Sequence, residues 1–188
     1  MTEFLLVRHG ETDWNRERRF QGHADPPLNQ LGREQARALA DELAAEQVDA
    51  VYSSDLRRAR ETAEIVAAQL GVPVVVDEAL REIDVGEWQG LTWPEIEERF
   101  PDGMRRWREH GHGWEGGETY AQLHERVVGR LREIAAAHPD ARVCVVGHGG
   151  TIRVVRAYAD RASVAEHRRT SPAVANCEVF RLRADQLD

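Results

Sequence analysis

Residues 4–10 of the chain read Phe4-Leu5-Leu6-Val7-Arg8-His9-Gly10. The first four form an unbroken apolar run, which is typical of a β-strand that is buried on both faces. Arg8 and His9 follow directly, so polar side chains stand at the end of this strand. Strands buried on both faces occur mainly in parallel sheets that helices cover on each side. This stretch therefore indicates an α/β fold with polar groups at a strand end.

Four more segments have the composition of β-strands. Each is a short run of mainly apolar, often β-branched residues, and they lie at 49–52, 74–76, 143–146 and 178–182. Amphipathic segments with helical periodicity separate them and supply apolar faces that can cover a sheet. This alternation predicts a single α/β domain, in which a mainly parallel β-sheet is flanked by helices on both faces.

The helices between these strands have recognisable ends. Asn29 can cap the first of them. Either Ser54 or Asp55 can cap the second, and Gly71 ends it. A capping box at 119–122 opens the third, and a fourth helix follows the fourth strand. The apolar face of the first helix is predicted to contain Leu31, Ala36, Leu39, Ala40 and Leu43.

The segment from about 83 to 117 is less regular than the rest of the chain. It is rich in glycine and contains most of the tryptophans, which indicates short helices and loops. We therefore interpret residues 1–188 as one domain with a helical and loop insert at this place. The sequence leaves two roles open for the tryptophans, which can wall a substrate pocket or pack the insert against the core. They are Trp88, Trp93, Trp107 and Trp114.

Composition excludes several classes of protein. The net charge of −8 argues against a nucleic-acid partner and against a membrane surface. All 25 basic residues are arginines, so Schiff-base chemistry and a phosphate-loop lysine are excluded. The two cysteines are too few for a disulfide framework and show no metal-ligand spacing, and we expect no cofactor. We expect a cytoplasmic protein, because no signal peptide or membrane-spanning run is recognisable.

Three groups of polar residues occupy the same place relative to the predicted strands. They follow the first, second and fourth strands at 8–10, 53–58 and 147–149. The carboxyl ends of parallel strands lie along one edge of the sheet, where open α/β folds bind ligands. Helix N-termini at that edge present N–H groups and a positive dipole to an anion. Two histidines and at least two arginines at this edge predict a phosphate pocket.

We interpret most histidines and arginines of the chain as surface residues or as hydrogen-bonded core residues without a role in binding. His9 and His148 differ, because each lies between a strand end and a glycine, where a core histidine has no evident purpose. Arg58 differs from the other helical arginines because it lies in the first turn after a strand end. The histidines interpreted as ordinary are His110, His112, His124, His138 and His167.

Five ordered motifs lie between residue 4 and about residue 158. They are 8–12 (RHGET, followed by Asn15 and Gln21-Gly22), 54–63 (SDLRRARETA), 80–83 (LREI) with 86–90 (GEWQG), 116–119 (GGET) and 146–150 (VGHGG). Together they resemble the signature of the histidine phosphatase superfamily, in its phosphoglycerate mutase-like branch (branch 1). The RHG triplet at 8–10 alone is weak evidence. Five motifs in the right order, each with matching structural context, are hard to obtain by chance.

The resemblance implies phosphoryl transfer in two steps through a phosphohistidine. His9 would be the nucleophile. Arg8, Arg58 and His148 would surround the phosphoryl oxygens, where charge is spread in the transition state. Glu82 would protonate the leaving alcohol and then activate water. No metal is required, because arginines and histidines supply the positive charge. Substrate-binding residues are expected at Asn15, Gln21, Gly22 and Gly149.

The segment after the third motif separates two activities of the family. Family mutases carry an extra segment there with basic residues, whereas 94–98 of this chain is compact and acidic. We therefore predict a phosphatase that hydrolyses small organic phosphate monoesters. A cofactor-dependent phosphoglycerate mutase and a non-catalytic phospholigand-binding module stay open as alternatives. A metal site made of His9, His148 and Glu82 is a weaker alternative. The natural substrate and a homodimeric state are left open.

Overall fold

The computed structural model describes residues 1–187, whose five strands form one sheet. The strands are β1 (Glu3–Arg8), β2 (Ala50–Ser53), β3 (Val74–Val76), β4 (Arg142–Gly147) and β5 (Val179–Arg183). Their order across the sheet is β3-β2-β4-β1-β5. The first four pair in parallel, and β5 pairs antiparallel with β1. The predicted α/β fold with a mainly parallel sheet is confirmed, and each predicted strand lies within one residue of its expected bounds.

The α-helices of residues 1–187 cover both faces of this sheet. They are α1 (Asp13–Arg16), α2 (Gln30–Leu43), α3 (Arg57–Leu70), α4 (Trp93–Arg99), α5 (Pro101–His110), α6 (Tyr120–Ala137), α7 (Gly149–Ala159) and α8 (Val164–Thr170). Short 3-10 helices occur at Glu78–Leu80, Gly86–Trp88 and Ala184–Leu187. None of the helices in this range is long and apolar enough to span a bilayer.

Side chains of β1 alternate between two apolar cores. Phe4 and Leu6 pack into the larger core, to which α6 and α7 contribute. Leu5 and Val7 pack into the smaller core, which α2 and α3 cover on the opposite face. Each buried side chain of this size stabilises the fold by about 1.5–3 kcal/mol relative to exposure. The unbroken apolar run that begins the chain is thus explained by burial on both faces.

Three of the predicted helix ends are observed. Asn29 caps α2 by accepting from the Gly32 amide at 2.8 Å. Thr119 and Gln122 form the capping box of α6. Gly71 ends α3 with a φ of 71°, a left-handed conformation that glycine adopts without the Cβ penalty of other residues.

The predicted cap of α3 is wrong. The residue before this helix is Leu56, whose side chain makes no cap hydrogen bond. Ser54 Oγ instead accepts from Leu56 N, and the Asp55 carboxylate binds the Arg81 guanidinium. The amide of Arg57 donates to the carboxylate of Asp25 at 2.5 Å, so a distant loop supplies the cap. Sequence spacing could not show this, because the two partners are 32 residues apart.

One predicted core residue is also wrong. Leu31 is 47 % exposed, whereas the other residues of its predicted face are buried. At about 100° per residue, Leu31 lies off the stripe defined by Leu39 and Leu43. Gly32 occupies the buried position of that turn, where α2 approaches the loop after β1.

Candidate active site

His9 lies directly after β1, and only 2 % of its surface is exposed. Its Nδ1 lies 2.7 Å from the carbonyl oxygen of Gly10. Because a carbonyl oxygen can only accept, Nδ1 carries the ring proton and donates it to Gly10. The lone pair of the neutral imidazole is therefore on Nε2, to which Arg58 Nε donates at 3.3 Å. An imidazole nucleophile that attacks through Nε2 needs this tautomer.

The surroundings keep the His9 ring neutral. Burial lowers the pKa of His9 well below its usual range, and the guanidiniums of Arg58 and Arg8 lower it further. The hydrogen bond to Gly10 acts in the opposite direction and is the smallest of these influences. A neutral ring keeps the Nε2 lone pair available at physiological pH.

Neighbouring elements hold the backbone around His9. His9 N donates to Gly147 O of β4 at 3.0 Å, and Asn176 Nδ2 donates to His9 O at 2.8 Å. The amide of Gly10 donates to Thr62 Oγ1 at 3.0 Å. The sequence assigned no role to Asn176 or Thr62. Asn176 lies outside every motif, and its contact with His9 follows from tertiary structure alone.

Arg58 lies in the first turn of α3 and is completely buried. Its Nη1 donates to Ala24 O at 2.7 Å, and its Nη2 donates to Gly22 O at 2.8 Å. Burial lowers the pKa of Arg58 to about 10, although nearby carboxylates, Glu82 foremost, act in the opposite direction. The guanidinium therefore stays charged at neutral pH and directs its Nε to His9.

Arg8 and His148 have buried nitrogen atoms that no group in residues 1–187 satisfies. Arg8 Nη1 donates to Val174 O at 2.5 Å, but Arg8 Nε is unpaired. Both ring nitrogens of His148 are likewise unpaired in this part of the chain. The ring centroids of His9 and His148 are 5.3 Å apart. Because buried polar atoms are normally hydrogen-bonded, Arg8 Nε and the protonated ring nitrogen of His148 indicate a place for the oxygens of a ligand, to which both can donate.

Glu82 lies on the loop before the Gly86–Trp88 turn, and its carboxylate is held by backbone amides. Oε2 accepts from Gly150 N at 3.1 Å, and Oε1 accepts from Ile83 N at 2.9 Å. A Cβ on Gly150 would lie closer than 3.0 Å to Oε1, so the second glycine after His148 leaves room for this carboxylate. His23 Nε2 contacts Glu82 O at 2.8 Å and fixes the backbone on the other side.

A cleft of about 240 Å³ opens beside these residues. Of the predicted site residues, its wall contains Arg8, His9, Asn15, Gln21, Gly22, Arg58 and Glu82. His148 lies outside the wall, next to His9. Gly149 also lies outside it, packed against the Arg8 side chain. Gly22 directs its carbonyl oxygen to Arg58 and therefore orients this guanidinium.

The side chains of Asn15 and Gln21 meet at Thr12. Asn15 Oδ1 accepts from the amide and the hydroxyl of Thr12, at 3.1 and 3.2 Å, in the capping box of α1. Gln21 Oε1 lies 3.1 Å from the same hydroxyl, so the two oxygens share its single proton. With the carbonyl oxygens engaged, the amide nitrogens of both side chains are the groups available to donate to a ligand.

Aromatic and basic residues that the sequence did not assign complete the wall. Three of the four tryptophans of the cluster line the cleft, whereas Trp88 is 1 % exposed and packs against Phe20, Trp93 and Trp114. Both roles left open for these tryptophans are therefore present. The wall residues without a sequence assignment as site residues are Arg19, Phe20, Ile83, Val85, Tyr120, Gly150, Arg153 and Arg168.

No group of three or more metal-ligating side chains is arranged to hold a metal ion in the described range. The alternative that His9, His148 and Glu82 form a metal site therefore has no support in the geometry. The same residues do offer one nucleophile, one carboxylate and several cationic or N–H donors around a common space. This set suits transfer of an anionic phosphoryl group.

Comparisons with known proteins agree with this chemistry. The model of the histidine phosphatase superfamily (branch 1) matches residues 4–187. Phosphoserine phosphatase 1 of Hydrogenobacter thermophilus is 39 % identical over 157 residues, which are 82 % of this chain and 74 % of that protein. Phosphoglycerate mutase-like protein 4 of Arabidopsis thaliana is 43 % identical over 156 residues, 80 % of this chain and 68 % of that protein. A mycobacterial glucosyl-3-phosphoglycerate phosphatase complexed with VO3 superposes with a TM-score of 0.87 at 35 % identity, covering 96 % of this chain and 90 % of that one.

Proposed function

Since this chain belongs to the histidine phosphatase superfamily (branch 1), we propose that it hydrolyses small organic phosphate monoesters through a phosphohistidine on His9. The family inferred from the five motifs is confirmed, and phosphatases among its relatives support the predicted class of enzyme. One observation carries the residue-level proposal. His9 is buried and neutral with its lone pair on Nε2, and the unpaired atoms Arg8 Nε and the ring nitrogens of His148 belong to residues next to it.

In the first step, His9 Nε2 attacks phosphorus and the bond from phosphorus to the alcohol oxygen breaks. Arg8, Arg58 and His148 donate to the non-bridging oxygens, where positive charge and N–H groups stabilise the transition state. Glu82, protonated for this step, gives its proton to the leaving alkoxide. The Nδ1–H bond to Gly10 O stabilises the ring as it becomes phosphorylated.

In the second step, water attacks phosphorus on the opposite side from Nε2. Glu82 now accepts a proton from this water, the P–N bond breaks, and His9 recovers its neutral tautomer. The sum is one ester and one water converted to one alcohol and inorganic phosphate. No metal ion takes part in either step, because the arginines and His148 supply the stabilising groups.

The rest of the proposal concerns the whole chain. We assign residues 1–188 to one histidine phosphatase domain, in which the segment at about 83–117 carries α4 and α5 as an insert. The net charge of −8 favours small phosphate esters over nucleic acid as partners, and the cationic cleft still attracts such esters locally. We place the protein in the cytoplasm, where these small metabolites and reduced thiols occur.

Hydrolysis of p-nitrophenyl phosphate in EDTA tests the proposal. The wild type is expected to turn over with the chelator present, and rapid quenching should trap an acid-labile, base-stable phosphoenzyme. The label should lie on His9, and His9→Ala should abolish turnover. Full activity of this variant, or a label on another residue, would show the mechanism to be wrong. Binding without turnover would instead support a non-catalytic phospholigand module.

A further assay separates a phosphatase from a mutase. With 3-phosphoglycerate and a bisphosphoglycerate primer, we expect inorganic phosphate to be released faster than 2-phosphoglycerate is formed. Isomerisation that outruns phosphate release would identify the chain as a mutase. We expect phosphate release to be faster because α4 is acidic, whereas family mutases carry basic residues after the third motif. Two of its acidic residues, Glu95 and Glu97, form ion pairs with Arg19 and Arg108.

A further inference from the structure

Two side chains from different helices bind the backbone directly after His9. They are Gln35 of α2 and Thr62 of α3, and both lie outside the set of described residues that line the cleft. Thr62 is completely buried. Because neither side chain belongs to the cleft wall, any effect that they have on catalysis has to act through the residues they hold.

The first peptide unit after His9 is bound at both of its polar ends. Its carbonyl oxygen, His9 O, accepts from Asn176 Nδ2 at 2.8 Å, and its N–H, that of Gly10, donates to Thr62 Oγ1 at 3.0 Å. The Thr62 hydroxyl donates its own proton to Arg58 O at 2.8 Å, so a lone pair of Oγ1 is left to accept from Gly10 N. The plane of this peptide unit is therefore fixed from both sides.

The second peptide unit, from Gly10 to Glu11, contacts the imidazole itself. Its carbonyl oxygen, Gly10 O, accepts from His9 Nδ1 at 2.7 Å. At the opposite end, the N–H of Glu11 donates to Gln35 Oε1 at 2.9 Å. An amide oxygen only accepts, so Gln35 in this orientation binds the peptide unit one way round.

The direction of this second unit decides where the ring proton of His9 lies. If the unit were turned over, the N–H of Glu11 would come to the side where Gly10 O now lies and would face Nδ1. Nδ1 would then have to accept a hydrogen bond, and the one proton of the neutral ring would move to Nε2. A protonated Nε2 has no lone pair with which to attack phosphorus. One peptide unit thus determines whether the nucleophile is present.

The glycine at position 10 does not fix this direction by itself. An added Cβ would overlap Gly32 O in the first turn of α2, so the close approach of the two segments requires a glycine. Glycine also has more freedom of φ and ψ than any other residue. The groups that bind the Gly10–Glu11 unit therefore have to set its direction, and Gln35 and Thr62 are placed to do so.

We propose that Gln35 and Thr62 are positioning residues, which hold Gly10 O towards His9 Nδ1 and thereby keep the lone pair of the nucleophile on Nε2. Gln35 holds the unit whose carbonyl oxygen accepts the ring proton, and Thr62 holds the unit before it. The effect on the tautomer rests on the geometry alone, whereas the effect on turnover rests on the proposed phosphatase function.

Nitrogen-15 NMR of the imidazole ring tests the tautomer directly, because the protonated and unprotonated nitrogens of a neutral ring have well-separated chemical shifts. The spectrum of His9→Gln identifies the signals of His9 by their absence. In the wild type, we expect the proton on Nδ1. Gln35→Met and Thr62→Val remove the acceptor oxygen at nearly constant size, and in each a population with the proton on Nε2 should appear. Gln35→Glu and Thr62→Ser keep an acceptor oxygen and should retain the wild-type tautomer.

Turnover of p-nitrophenyl phosphate measures the consequence for catalysis. We expect kcat to fall by about 5- to 100-fold in Gln35→Met and in Thr62→Val, the range that corresponds to a buried N–H left without an acceptor. KM and inhibition by inorganic phosphate should stay close to the wild-type values, because a protonated Nε2 can still donate to a phosphoryl oxygen. Gln35→Glu and Thr62→Ser should recover most of kcat.

Matched controls make the same chemical changes at exposed positions. Gln30→Met lies on the same helix as Gln35. Thr170→Val on α8 removes a hydroxyl that donates to Glu166 O at 3.0 Å, as the hydroxyl of Thr62 donates to Arg58 O. Both controls should keep the wild-type tautomer and kcat. Thermal unfolding of each variant checks that the fold is intact.

The outcomes separate the positioning role from the proposed function. A wild-type tautomer in Gln35→Met or in Thr62→Val would overturn the assignment of that residue. A fall in kcat with weaker phosphate inhibition would also overturn it, because a general distortion of the cleft would then be the cause. A proton on Nε2 in the variants of a protein that hydrolyses no ester would support the positioning role and remove the proposed function. Turnover through His9 with the same tautomer in every variant would do the reverse.

Discussion

At the scale of single residues, the chemistry of the site depends on where each proton is held. His9 keeps one proton on Nδ1 through Gly10 O, which leaves the lone pair on Nε2, the atom that we propose as the nucleophile. In the proposed mechanism Glu82 delivers a proton and then takes one back, and its carboxylate is held by two amides rather than by an arginine. Amide donors fix the position of this carboxylate without adding a charged partner, and this suits a group that changes its protonation state within each turnover.

Replacing Glu82 with Gln removes proton transfer and keeps the shape of the side chain. Turnover of alkyl phosphates should fall by about 10²–10⁴-fold, the usual size of general acid–base effects. The loss should be smallest with p-nitrophenyl phosphate, whose leaving group hardly needs a proton, and the phosphoenzyme should then accumulate. Steady-state rates and quenched-flow labelling measure both effects. Glu87→Gln, an exposed change five residues away, is the control, and a loss independent of the leaving group would exclude Glu82 as the acid.

Gly150→Ala tests the space around the Glu82 carboxylate. The new Cβ would overlap Oε1, and the flexible side chain is expected to move away and leave its proton-transfer position. We expect kcat for alkyl phosphates to fall at least tenfold while the thermal stability changes little, because Ala favours a helix over Gly by about 1 kcal/mol. Gly129→Ala on α6, where no atom lies within 4 Å of the added Cβ, should raise stability and leave activity unchanged. Full activity of Gly150→Ala would contradict the placement of Glu82.

At the scale of elements, the loop that carries Glu82 is fixed by α6. Arg126 Nη1 donates to Ala79 O at 2.9 Å and to Arg81 O at 3.0 Å, and Nη2 approaches Glu82 O at 3.4 Å. Glu118 binds the other edge of the same guanidinium. One arginine therefore contacts three carbonyl groups of the loop and holds its position relative to α6.

Arg126→Met should loosen this loop while keeping the apolar stem of the side chain. Unfolding free energy should fall by about 1–3 kcal/mol, because half-buried carbonyl groups and Glu118 lose a charged partner. Turnover of alkyl phosphates should fall more than that of p-nitrophenyl phosphate, as expected for a residue that acts through Glu82. Denaturant titration and the two rates measure these changes. Arg105→Met, on the exposed face of α5, is the control, and an equal fall for both substrates would indicate a structural role only.

Sequence reasoning is most successful for elements that local patterns specify. The apolar run of β1, the Asn29 cap and the Gly71 stop were all predictable, because each depends on neighbouring residues. The cap of α3 was not, since Asp25 reaches it from a separate loop. The same limit applies to the site. Motif residues were identifiable, whereas Asn176 reaches the His9 backbone, and Arg168 reaches the cleft, only through packing of the C-terminal part of the chain.

At the scale of the whole molecule, the fold places a cationic cleft in an acidic protein. Strand ends of β1 and β4 lie side by side, with Arg8 opposite Gly147, so residues from distant motifs share one edge of the sheet. Burial of two histidines and an arginine at this edge excludes water from the groups that we propose as phosphate contacts. This arrangement strengthens their interaction with an anion. It also makes the stability of the protein depend on pH.

Buried neutral histidines set the direction of that dependence. The pKa values of His9 and His148 are lowered well below the usual range, mainly by burial, so both rings stay neutral in the folded state at pH values where the unfolded chain binds a proton. The unfolded state then binds more protons, and stability falls as the pH falls below about 6.5. For each such histidine the slope rises from about half of 1.4 kcal/mol per pH unit at pH 6.5 towards that full value at lower pH, so the two together lower stability by about 2 kcal/mol between pH 6.5 and 5.5.

Denaturant titration at several pH values measures this slope. His9→Gln and His148→Gln should each remove about half of it, because each deletes one buried titrating ring. His110→Gln, at an exposed position near the end of α5, should leave the slope as it is in the wild type. Ion-paired carboxylates do not affect this slope, because their contribution to the stability of the fold is lost mainly below about pH 5. A slope that is unchanged in both buried variants would mean that these rings titrate in the folded protein as they do in the unfolded chain, and would contradict the lowered pKa values of His9 and His148.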